Sequence, residues 1–392
     1  MTSMTDTTAT WARRRKLAGA AAIAACLTAG ALVAAPASAG TPAQQDAKLQ
    51  QGVDALVASG APGALLLVRD GDRTVRLTGG FGDVARKTPM RAQDHFKIAS
   101  LTKTYTATVV LQLAAAGKLR LSDSVERWLP GLVPNGRHIT VRQLLNHTSG
   151  IAEFETDPRY LKPYLSGDFG FYWAPRKLVE MAVSHPPVFP PGKTSVSSYS
   201  NTNYVLAGLI AEAASGHSFA TELKRWIFRP LGLRHTSYQT KPGLPAPYAH
   251  GYMVVDKPPM IDVTGLSPSL SPHSGAIVST ATEVADFYRA LLAGRLLAPR
   301  QLAAMKRTLP EARFDFPGQR YGLGLELFPT ACGDALGHNG VVPGYMTFVF
   351  SSANGRRQAL LMINHDAQSL PPAAGPAFFK LIETAFCSTA RT

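Results

Sequence analysis

The chain has 392 residues, enough to bury one large hydrophobic core or two smaller ones. Apolar residues make up 45% and charged residues 17% of the sequence, which excludes a chain that is disordered over most of its length. The formal net charge is +14, but the basic residues are dispersed and form no recognised nucleic-acid-binding motif, so we expect no DNA or RNA partner.

The first 39 residues have the pattern of a secretory signal peptide. A basic head, RRRK at 13–16, precedes the apolar run LAGAAAIAACLTAGALVAA, and the small residues PASAG follow with an A-x-A cleavage signal. We therefore predict a secreted or cell-wall-associated protein. An uncleaved membrane anchor, lipidation at Cys26 and twin-arginine export are the alternatives that the same residues leave open.

Removal of this segment takes away four basic residues and one acidic residue, which leaves the remaining chain at +11. A basic exported protein is expected to associate electrostatically with anionic cell-wall polymers or lipid headgroups. No feature of the sequence indicates an oligomer, so we expect a monomer. No H-E-x-x-H motif or Cys/His cluster occurs, and we expect neither a catalytic metal nor a cofactor.

Two cysteines, Cys332 and Cys387, remain after the predicted cleavage. An even pair in an exported chain is a candidate disulfide, which would tie the C-terminal helix to the sheet. Two separate buried thiols are the alternative.

The predicted elements alternate between strands and helices along the chain. A helix is predicted over 43–59, a hairpin over ALLLVRDGDRTVRLTGGFG, and a helix from Ser100 to Ala116 that Gly117 ends. Residues 120–290 are predicted to be mostly helical. From Tyr321 onward, YGLGLELF, YMTFVFSS and RRQALLMINHD are predicted strands, and PAFFKLIETAF is a closing helix.

This order predicts an α+β fold, in which N- and C-terminal segments build one antiparallel sheet flanked by helices around an inserted, mainly helical lobe. Residues 40–392 would form a single domain. Its α/β lobe would comprise about 43–120 and 290–390, and its helical lobe about 121–289. A site at the junction of the lobes is expected.

The first candidate for chemistry is Ser100-Leu101-Thr102-Lys103. A serine at a helix N-terminus lies in the positive end of the helix dipole, and a lysine three residues later is one turn away on the same face. A buried lysine can have a lowered pKa and act as a base. The alternative is an N-cap serine beside a solvated lysine.

Two further candidates are Tyr199-Ser200-Asn201, before a predicted buried helix, and His338-Asn339-Gly340, in a Gly-rich stretch that opens a predicted strand. The tyrosine could relay a proton and Asn201 could bind a substrate carbonyl. His338 could orient or protonate the tyrosine oxygen, and Gly340 would let a substrate approach closely. Alone, each is equally explained as a polar turn.

Together, these three short motifs, called boxes below, resemble those of the serine beta-lactamase and penicillin-binding protein superfamily. In that superfamily S-x-x-K, Y-S-N and H-T-G or K-T-G occur in this order. The sequence is closest to secreted D-alanyl-D-alanine carboxypeptidases and class C-like beta-lactamases. Further similar stretches are ITVRQLLNHTSGI (139–151), SYSNTNYVLAGLI (198–210), SGAIVSTATEVADFYRALLAGRLL (274–297) and YGLGLELFPTACGDALGHNGVVPGY (321–345).

The resemblance implies that Ser100 forms an acyl-enzyme while Lys103, Tyr199 and His338 manage the proton. The backbone N–H groups of Ser100 and Val341 would form the oxyanion hole.

The departures from this pattern concern the substrate. Close relatives continue the third box as H-T-G-T and carry an arginine after the G-L-G-L strand, which together bind a peptide carboxylate. The corresponding residues here are Asn339, Val341 and Glu326. An acid in place of a cation disfavours an anionic group and could attract a cationic one.

Three functions therefore remain open. The first is a D-alanyl-D-alanine carboxypeptidase that acts on peptidoglycan stem peptides and binds penicillin. The second is an esterase, amidase, D-amino-acid peptidase or beta-lactamase on the same scaffold. The third is an inactive cell-wall-binding protein. Such a protein would not need Ser100, Lys103, Tyr199 and His338.

Overall fold

The computed structural model describes residues 41–254, 259–312, 317–368 and 370–388. The predicted signal segment, with Cys26, lies outside these ranges. None of the described helices is long and apolar enough to cross a membrane.

The strands are short at the margins of the sheet and long at its centre. In chain order they are β1 (Gly63–Asp70), β2 (Arg73–Asp83), β3 (Thr88–Pro89), β4 (Phe96–Lys97), β5 (Ser237–Tyr238), β6 (Tyr252–Met253), β7 (Ile261–Asp262), β8 (Ile277–Ser279), β9 (Leu309–Pro310), β10 (Arg320–Tyr321), β11 (Glu326–Phe328), β12 (Ala335–Val342), β13 (Tyr345–Ser351) and β14 (Arg357–Ile363).

Nine of these strands form one antiparallel sheet in the order β3-β2-β1-β14-β13-β12-β11-β10-β9. The N-terminal hairpin joins the C-terminal strands where β1 pairs with β14, with Leu66 opposite Leu361. The prediction of an antiparallel sheet assembled from both ends of the chain is confirmed. Strands β4, β8 and β5 form a small second sheet, and β6 pairs with β7.

Helices cover both faces of the large sheet. They are α1 (Pro42–Ala58), α2 (Thr102–Ala115), α3 (Val125–Trp128), α4 (Val141–Leu145), α5 (Pro158–Leu165), α6 (Pro175–Val183), α7 (Asn201–Ser215), α8 (Phe219–Leu223), α9 (Arg229–Leu231), α10 (Ala281–Leu292), α11 (Pro299–Lys306) and α12 (Ala374–Cys387).

The alternation of side chains along β1 divides the core into two layers. Leu66 packs with apolar residues of α1 and α12, such as Val53 and Phe378. Its neighbour Leu65 points to the opposite face and belongs to the larger cluster around Tyr105 of α2. Because helices cover both faces, the central strands are apolar throughout, which explains the continuous run ALLLV.

Two sequence predictions need revision. The region 121–289 contains strands β5 to β8 as well as helices, and the chain after residue 320 forms five strands rather than three. The strand that was missed, β12, contains His338 itself instead of leading into the next strand. Its two glycines and its polar pair His338-Asn339 lower β-propensity, so local pattern alone does not predict a strand there. The division into two lobes stays a prediction.

Cys332 and Cys387 form a disulfide that links the loop before β12 to the end of α12, as predicted. The bridge closes a loop with a sequence separation of 55 residues, for which the loss of entropy in the unfolded chain stabilises the folded state by about 4 kcal/mol. We expect the Cys332→Ser, Cys387→Ser double variant to lose about that free energy of unfolding in guanidinium titrations. The wild type under reducing conditions is the control, and an equal stability of oxidised and reduced wild type would contradict the prediction.

Candidate active site

Ser100 lies in a strained turn directly before α2. The turn is a short 3-10 helix, Ala99–Leu101, and Ala99 has a φ of +52°, in the left-handed region that residues other than glycine rarely adopt. Such strain persists only where the surrounding structure enforces it, and it is typical of functional sites. The serine is therefore held at the N-terminal end of the helix, where the helix dipole favours developing negative charge.

Lys103 is the nearest base to the Ser100 hydroxyl. Its Nζ is 2.8 Å from Ser100 Oγ and donates a second hydrogen bond, at 3.2 Å, to the carbonyl oxygen of Ser274. The side chain is fully buried. Burial lowers the pKa of Lys103 to about 7, although nearby carboxylates, led by those of Glu155 and Glu153, act to raise it. A large fraction of this lysine is therefore neutral at neutral pH and able to accept the serine proton.

Tyr199 completes the contacts around the serine. Its hydroxyl hydrogen-bonds with the Ser100 side chain, and Lys103 Nζ lies 4.7 Å from the centroid of its ring. Burial, together with the charge of Glu326, raises the pKa of Tyr199 well above its usual range. The phenol therefore stays protonated at neutral pH, which makes Lys103 the better base and Tyr199 a donor or relay.

Strand β12 lies directly against the serine turn at Gly340. A methyl group on Gly340 would come within 2.6 Å of the Ile98 carbonyl oxygen and 3.0 Å of the Ser100 amide nitrogen, so no other residue fits without displacing backbone. This close approach brings the next residue, Val341, beside the nucleophile.

The backbone N–H of Val341 points to the open edge of β12. The N–H of Asn339 points toward β11, since it donates to the Glu326 carboxylate, and alternation along the strand directs the N–H two residues later to the same side. Strand β11 pairs with β12 only as far as Gly337, so Val341 lies beyond its end. This geometry agrees with the predicted oxyanion hole, which stays a prediction.

His338 is fully buried beneath the site rather than exposed in it. Its Nε2 lies 3.0 Å from the hydroxyl oxygen of Tyr321, and its Nδ1 lies 3.6 Å from a carboxylate oxygen of Glu326. Its ring centroid is 6.4 Å from that of Tyr199, the residue on which it was expected to act. Burial, reinforced by the charge of Lys103, lowers the pKa of His338 to about 3, so the imidazole is neutral. We assign it as a positioning residue.

Glu326 was predicted to contact the substrate, but only 1% of its surface is exposed. Its Oε2 accepts the backbone N–H of Asn339 at 2.8 Å. The carboxylate therefore holds strand β12 in place instead of lining the cleft. The Asn339 side chain is half-buried and Val341 is 37% exposed. Of the three residues that depart from the family pattern, these two are therefore more accessible to a substrate than Glu326.

Asn201 is the first residue of α7, as the sequence indicates. Its backbone N–H donates to the carboxylate of Glu153, and burial raises the pKa of Glu153 to about 8. The side-chain amide of Asn201 is half-buried, and within the described ranges no hydrogen bond engages it. Its predicted role in holding the substrate amide is compatible with this position and stays a prediction.

His147 is a site residue that sequence reasoning missed, as is Tyr321, the partner of His338. His147 is buried and has a φ of +58°, and its Nδ1 lies 3.2 Å from the Ser200 amide nitrogen and 3.1 Å from Asn203 Nδ2. Its ring centroid lies 4.5 Å from that of Tyr199 and 4.6 Å from that of Tyr321. The His147 ring therefore packs against the ring of Tyr199 and helps to fix its position. The sequence feature that could have indicated this role is the stretch NHTSG, but a single histidine in a turn does not predict a function.

An apolar cavity of about 450 Å³ opens beside Val341. Aromatic and aliphatic side chains make up most of its lining, including Tyr160, Leu165 and Phe169. Two acids, Glu155 and Asp366, also line it, and no lysine or arginine does so among the residues that the structure describes. Glu155 is exposed to solvent. Desolvation by the surrounding protein raises the pKa of its carboxyl above the usual range, although the charge of Lys103 acts to lower it.

The geometry of the three boxes agrees with the comparison with known families. The profile of the beta-lactamase family matches residues 46–375, most of the chain. The chain belongs to the beta-lactamase family. It is a serine hydrolase of that family, and the catalytic roles of Ser100, Lys103 and Tyr199 stay predictions with which the geometry agrees.

Relatives in this family include a penicillin-binding protein of Bacillus subtilis (strain 168), 34% identical over 202 residues, which are 49% of this chain and 42% of the relative. PbpX of the same organism, provisionally named a penicillin-binding protein, is 30% identical over 78% of this chain and 71% of its own length. A provisionally named D-alanyl-D-alanine carboxypeptidase of Escherichia coli (strain K12) is 30% identical over 50% of this chain and 46% of its own. The chain thus spans less than half of two of these relatives.

Solved structures of the beta-lactamase fold match over nearly their whole length. A D-stereospecific amidohydrolase from Streptomyces sp. is 37% identical, with a TM-score of 0.79 over 88% of this chain and 99% of that structure. A D-amino acid amidase from Ochrobactrum anthropi SV3, complexed with D-phenylalanine, is 27% identical, with a TM-score of 0.80 over 88% of this chain and 98% of that structure.

Proposed function

We propose that this beta-lactamase-family enzyme hydrolyses amides or esters whose acyl part is an apolar D-amino acid with a free ammonium group. The observation that carries the proposal is the cavity beside Val341, which is apolar in its walls and acidic at Glu155. An apolar side chain would fill the cavity, and the ammonium group would lie near the carboxylate of Glu155.

The charges around the nucleophile disfavour a substrate with a free carboxylate. His338, which occupies the position of a cation in many relatives, is neutral at neutral pH because its pKa is about 3. Glu326 replaces the arginine of carboxypeptidase relatives, and Val341 offers no side-chain donor. A carboxylate in this cleft would face Glu155 without a partner cation on the described cavity wall, which costs free energy.

Two structural neighbours support the D-amino acid class. One is a D-stereospecific amidohydrolase and the other is a D-amino acid amidase, and this chain covers both almost completely. The chain covers the penicillin-binding relatives less completely, at 42% and 71% of their lengths.

In the proposed reaction, neutral Lys103 takes the proton from Ser100 Oγ as the oxygen attacks the acyl carbonyl. The negative charge that develops on the carbonyl oxygen is stabilised by the N–H groups of Ser100 and Val341. Lys103, now protonated, returns a proton to the leaving amine through Tyr199, and the C–N bond breaks. A water molecule then hydrolyses the acyl-enzyme by the same proton path, which releases the acid and restores Ser100.

A D-alanyl-D-alanine carboxypeptidase is the second candidate, because a curated relative carries that name provisionally. It uses the same nucleophile and differs in requiring recognition of a carboxylate on the leaving group.

A panel of four substrates tests the proposal on the purified enzyme: D-phenylalanine amide, L-phenylalanine amide, N-acetyl-D-phenylalanine amide and a diacyl-lysyl-D-Ala-D-Ala peptide. We expect kcat/KM for D-phenylalanine amide to exceed those of the other three by at least about tenfold, the scale of a single well-placed recognition group. Release of D-alanine from the peptide as the fastest reaction would instead select the carboxypeptidase.

The Glu155→Gln variant tests recognition of the ammonium group. The amide keeps the size of the side chain and removes its charge, so we expect kcat/KM for D-phenylalanine amide to fall about tenfold, mainly through KM. N-acetyl-D-phenylalanine amide, which lacks the cation, is the matched control. It responds only to the loss of the Glu155 charge that helps to raise the pKa of Lys103, so the loss on D-phenylalanine amide should exceed any change on the control by about tenfold. Equal losses on both substrates would show that Glu155 acts on the architecture of the site and not on the ammonium group.

A further inference from the structure

Three arginines line a surface groove that is distant from the nucleophile. The groove is a cavity of about 640 Å³ between the second half of α2, the start of α4 and the start of α11. Its cations are Arg120, Arg142 and Arg300, all with exposed side chains, and we call it the arginine groove. Leu111, in its lining, is eleven residues beyond Ser100, which corresponds to roughly 16 Å along the helix axis.

The positive charge of the arginine groove is not balanced by the protein. No acidic residue lines the groove, and within the described ranges none of its three guanidinium groups forms an ion pair. Desolvation lowers the pKa of Arg142, and the charge of Arg307 adds to this effect. Crowding like charges without a counter-ion costs free energy, and a bound anion would recover it.

The start of α11 adds hydrogen-bond donors to the same groove. The helix has no side-chain cap at Ala298, and Arg300 and Gln301, which line the groove, are in its first turn. Backbone N–H groups in the first turn of a helix have no intrahelical acceptor, and the helix dipole makes this end positive. Pro299, the first residue of the helix, has no N–H, so the donors at this end are the amides of Arg300 and Gln301. Guanidinium groups beside a helix start of this kind suit phosphate oxygens.

We propose that the arginine groove binds phosphate groups of a phosphodiester polymer. Arginine is suited to this because its planar fork binds two oxygens of one phosphate at once. The volume of about 640 Å³ and the three separate cations fit a chain of repeated anionic groups better than a single ion. Since the groove lies away from Ser100, polymer binding would hold the enzyme at a surface while the active site stays open.

The test measures binding of a soluble poly(glycerol phosphate) to the purified enzyme at low ionic strength by titration calorimetry. We expect the Arg120→Gln, Arg142→Gln, Arg300→Gln triple variant to bind at least about tenfold more weakly, with inorganic phosphate acting as a competitor of the wild type. The control is Lys48→Gln, Lys224→Gln, Arg229→Gln, which removes the same charge from exposed positions outside the groove and should weaken binding less than about twofold. Unchanged hydrolysis of D-phenylalanine amide, or of whichever substrate the panel selects, shows that both variants are folded.

Equal weakening in the two triple variants would overturn the proposal, because it would assign binding to net charge alone. Retained affinity in the groove variant would overturn it as well. Binding to phosphatidylglycerol vesicles without binding to the soluble polymer would replace the polymer by a lipid surface. None of these outcomes depends on the amide substrate, so the proposal can fail while the proposed activity stands.

Discussion

Replacement of Ser100 by alanine is expected to lower kcat by at least about a thousandfold on every substrate that the enzyme accepts. The variant keeps the turn, the helix and the oxyanion donors, but no oxygen remains to form the ester bond to the acyl group. Residual hydrolysis would come only from water bound near Val341 and Lys103. Rates on the favoured amide, measured for both proteins at equal concentration, give the loss directly.

Covalent trapping distinguishes loss of the nucleophile from damage to the fold. Intact-mass measurement after rapid acid quench should show an acyl adduct on the wild type and none on Ser100→Ala. Ser274→Ala is a matched control, because Lys103 donates its hydrogen bond to the backbone carbonyl of Ser274 and the variant retains that carbonyl. An acyl adduct on the alanine variant, or rates within tenfold of wild type, would place the nucleophile elsewhere.

Replacement of Lys103 by arginine is expected to cost about a thousandfold in kcat/KM although the positive charge is retained. A guanidinium stays protonated throughout the accessible pH range, so it cannot accept the proton of Ser100. The buried lysine has a pKa of about 7 and acts in its neutral form. In the wild type, kcat/KM for N-acetyl-D-phenylalanine amide, which has no titrating ammonium group, should therefore rise with pH through about 7 and level off above it.

Lys97 provides the matched control for this experiment. It is a second lysine with little access to solvent, and burial lowers its pKa to about 8, but its Nζ donates to the carbonyl oxygen of Leu266 instead of to the serine. Lys97→Arg should keep the rise through pH 7, whereas Lys103→Arg should lose it together with the activity. A pH profile that is flat across neutrality in the wild type would show that Lys103 is not the base.

Sequence reasoning succeeds where a local pattern carries the chemistry. The spacing of Ser100 and Lys103 gives one helical turn, and the structure places their side chains 2.8 Å apart. The apolar run of β1 and the closing helix likewise follow from burial. These features depend on neighbours in the chain, so periodicity and propensity are sufficient to predict them.

The predictions that fail concern contacts between residues that are distant in the sequence. Nothing near Glu326 in sequence indicates that its carboxylate binds the N–H of Asn339, and His338 is directed away from Tyr199 by its contacts with Tyr321 and Glu326. The ring contact between His147 and Tyr199 likewise joins the turn after α4 to the segment before α7. Such pairings are set by tertiary packing, which overrides the local reading of a polar residue in a Gly-rich stretch.

The position of β14 in the large sheet has a consequence for the nascent chain. This strand pairs with β1 on one side and with β13 on the other, and β13 pairs with β12, which carries Gly340. Until residue 363 has been made, β1 has an unpaired apolar edge, and the hairpin β1–β2 is not joined to the strands that reach the serine turn. Residues up to 363 must therefore be synthesised before the active site can assemble, and a chain interrupted shortly before β14 would be inactive and prone to aggregation.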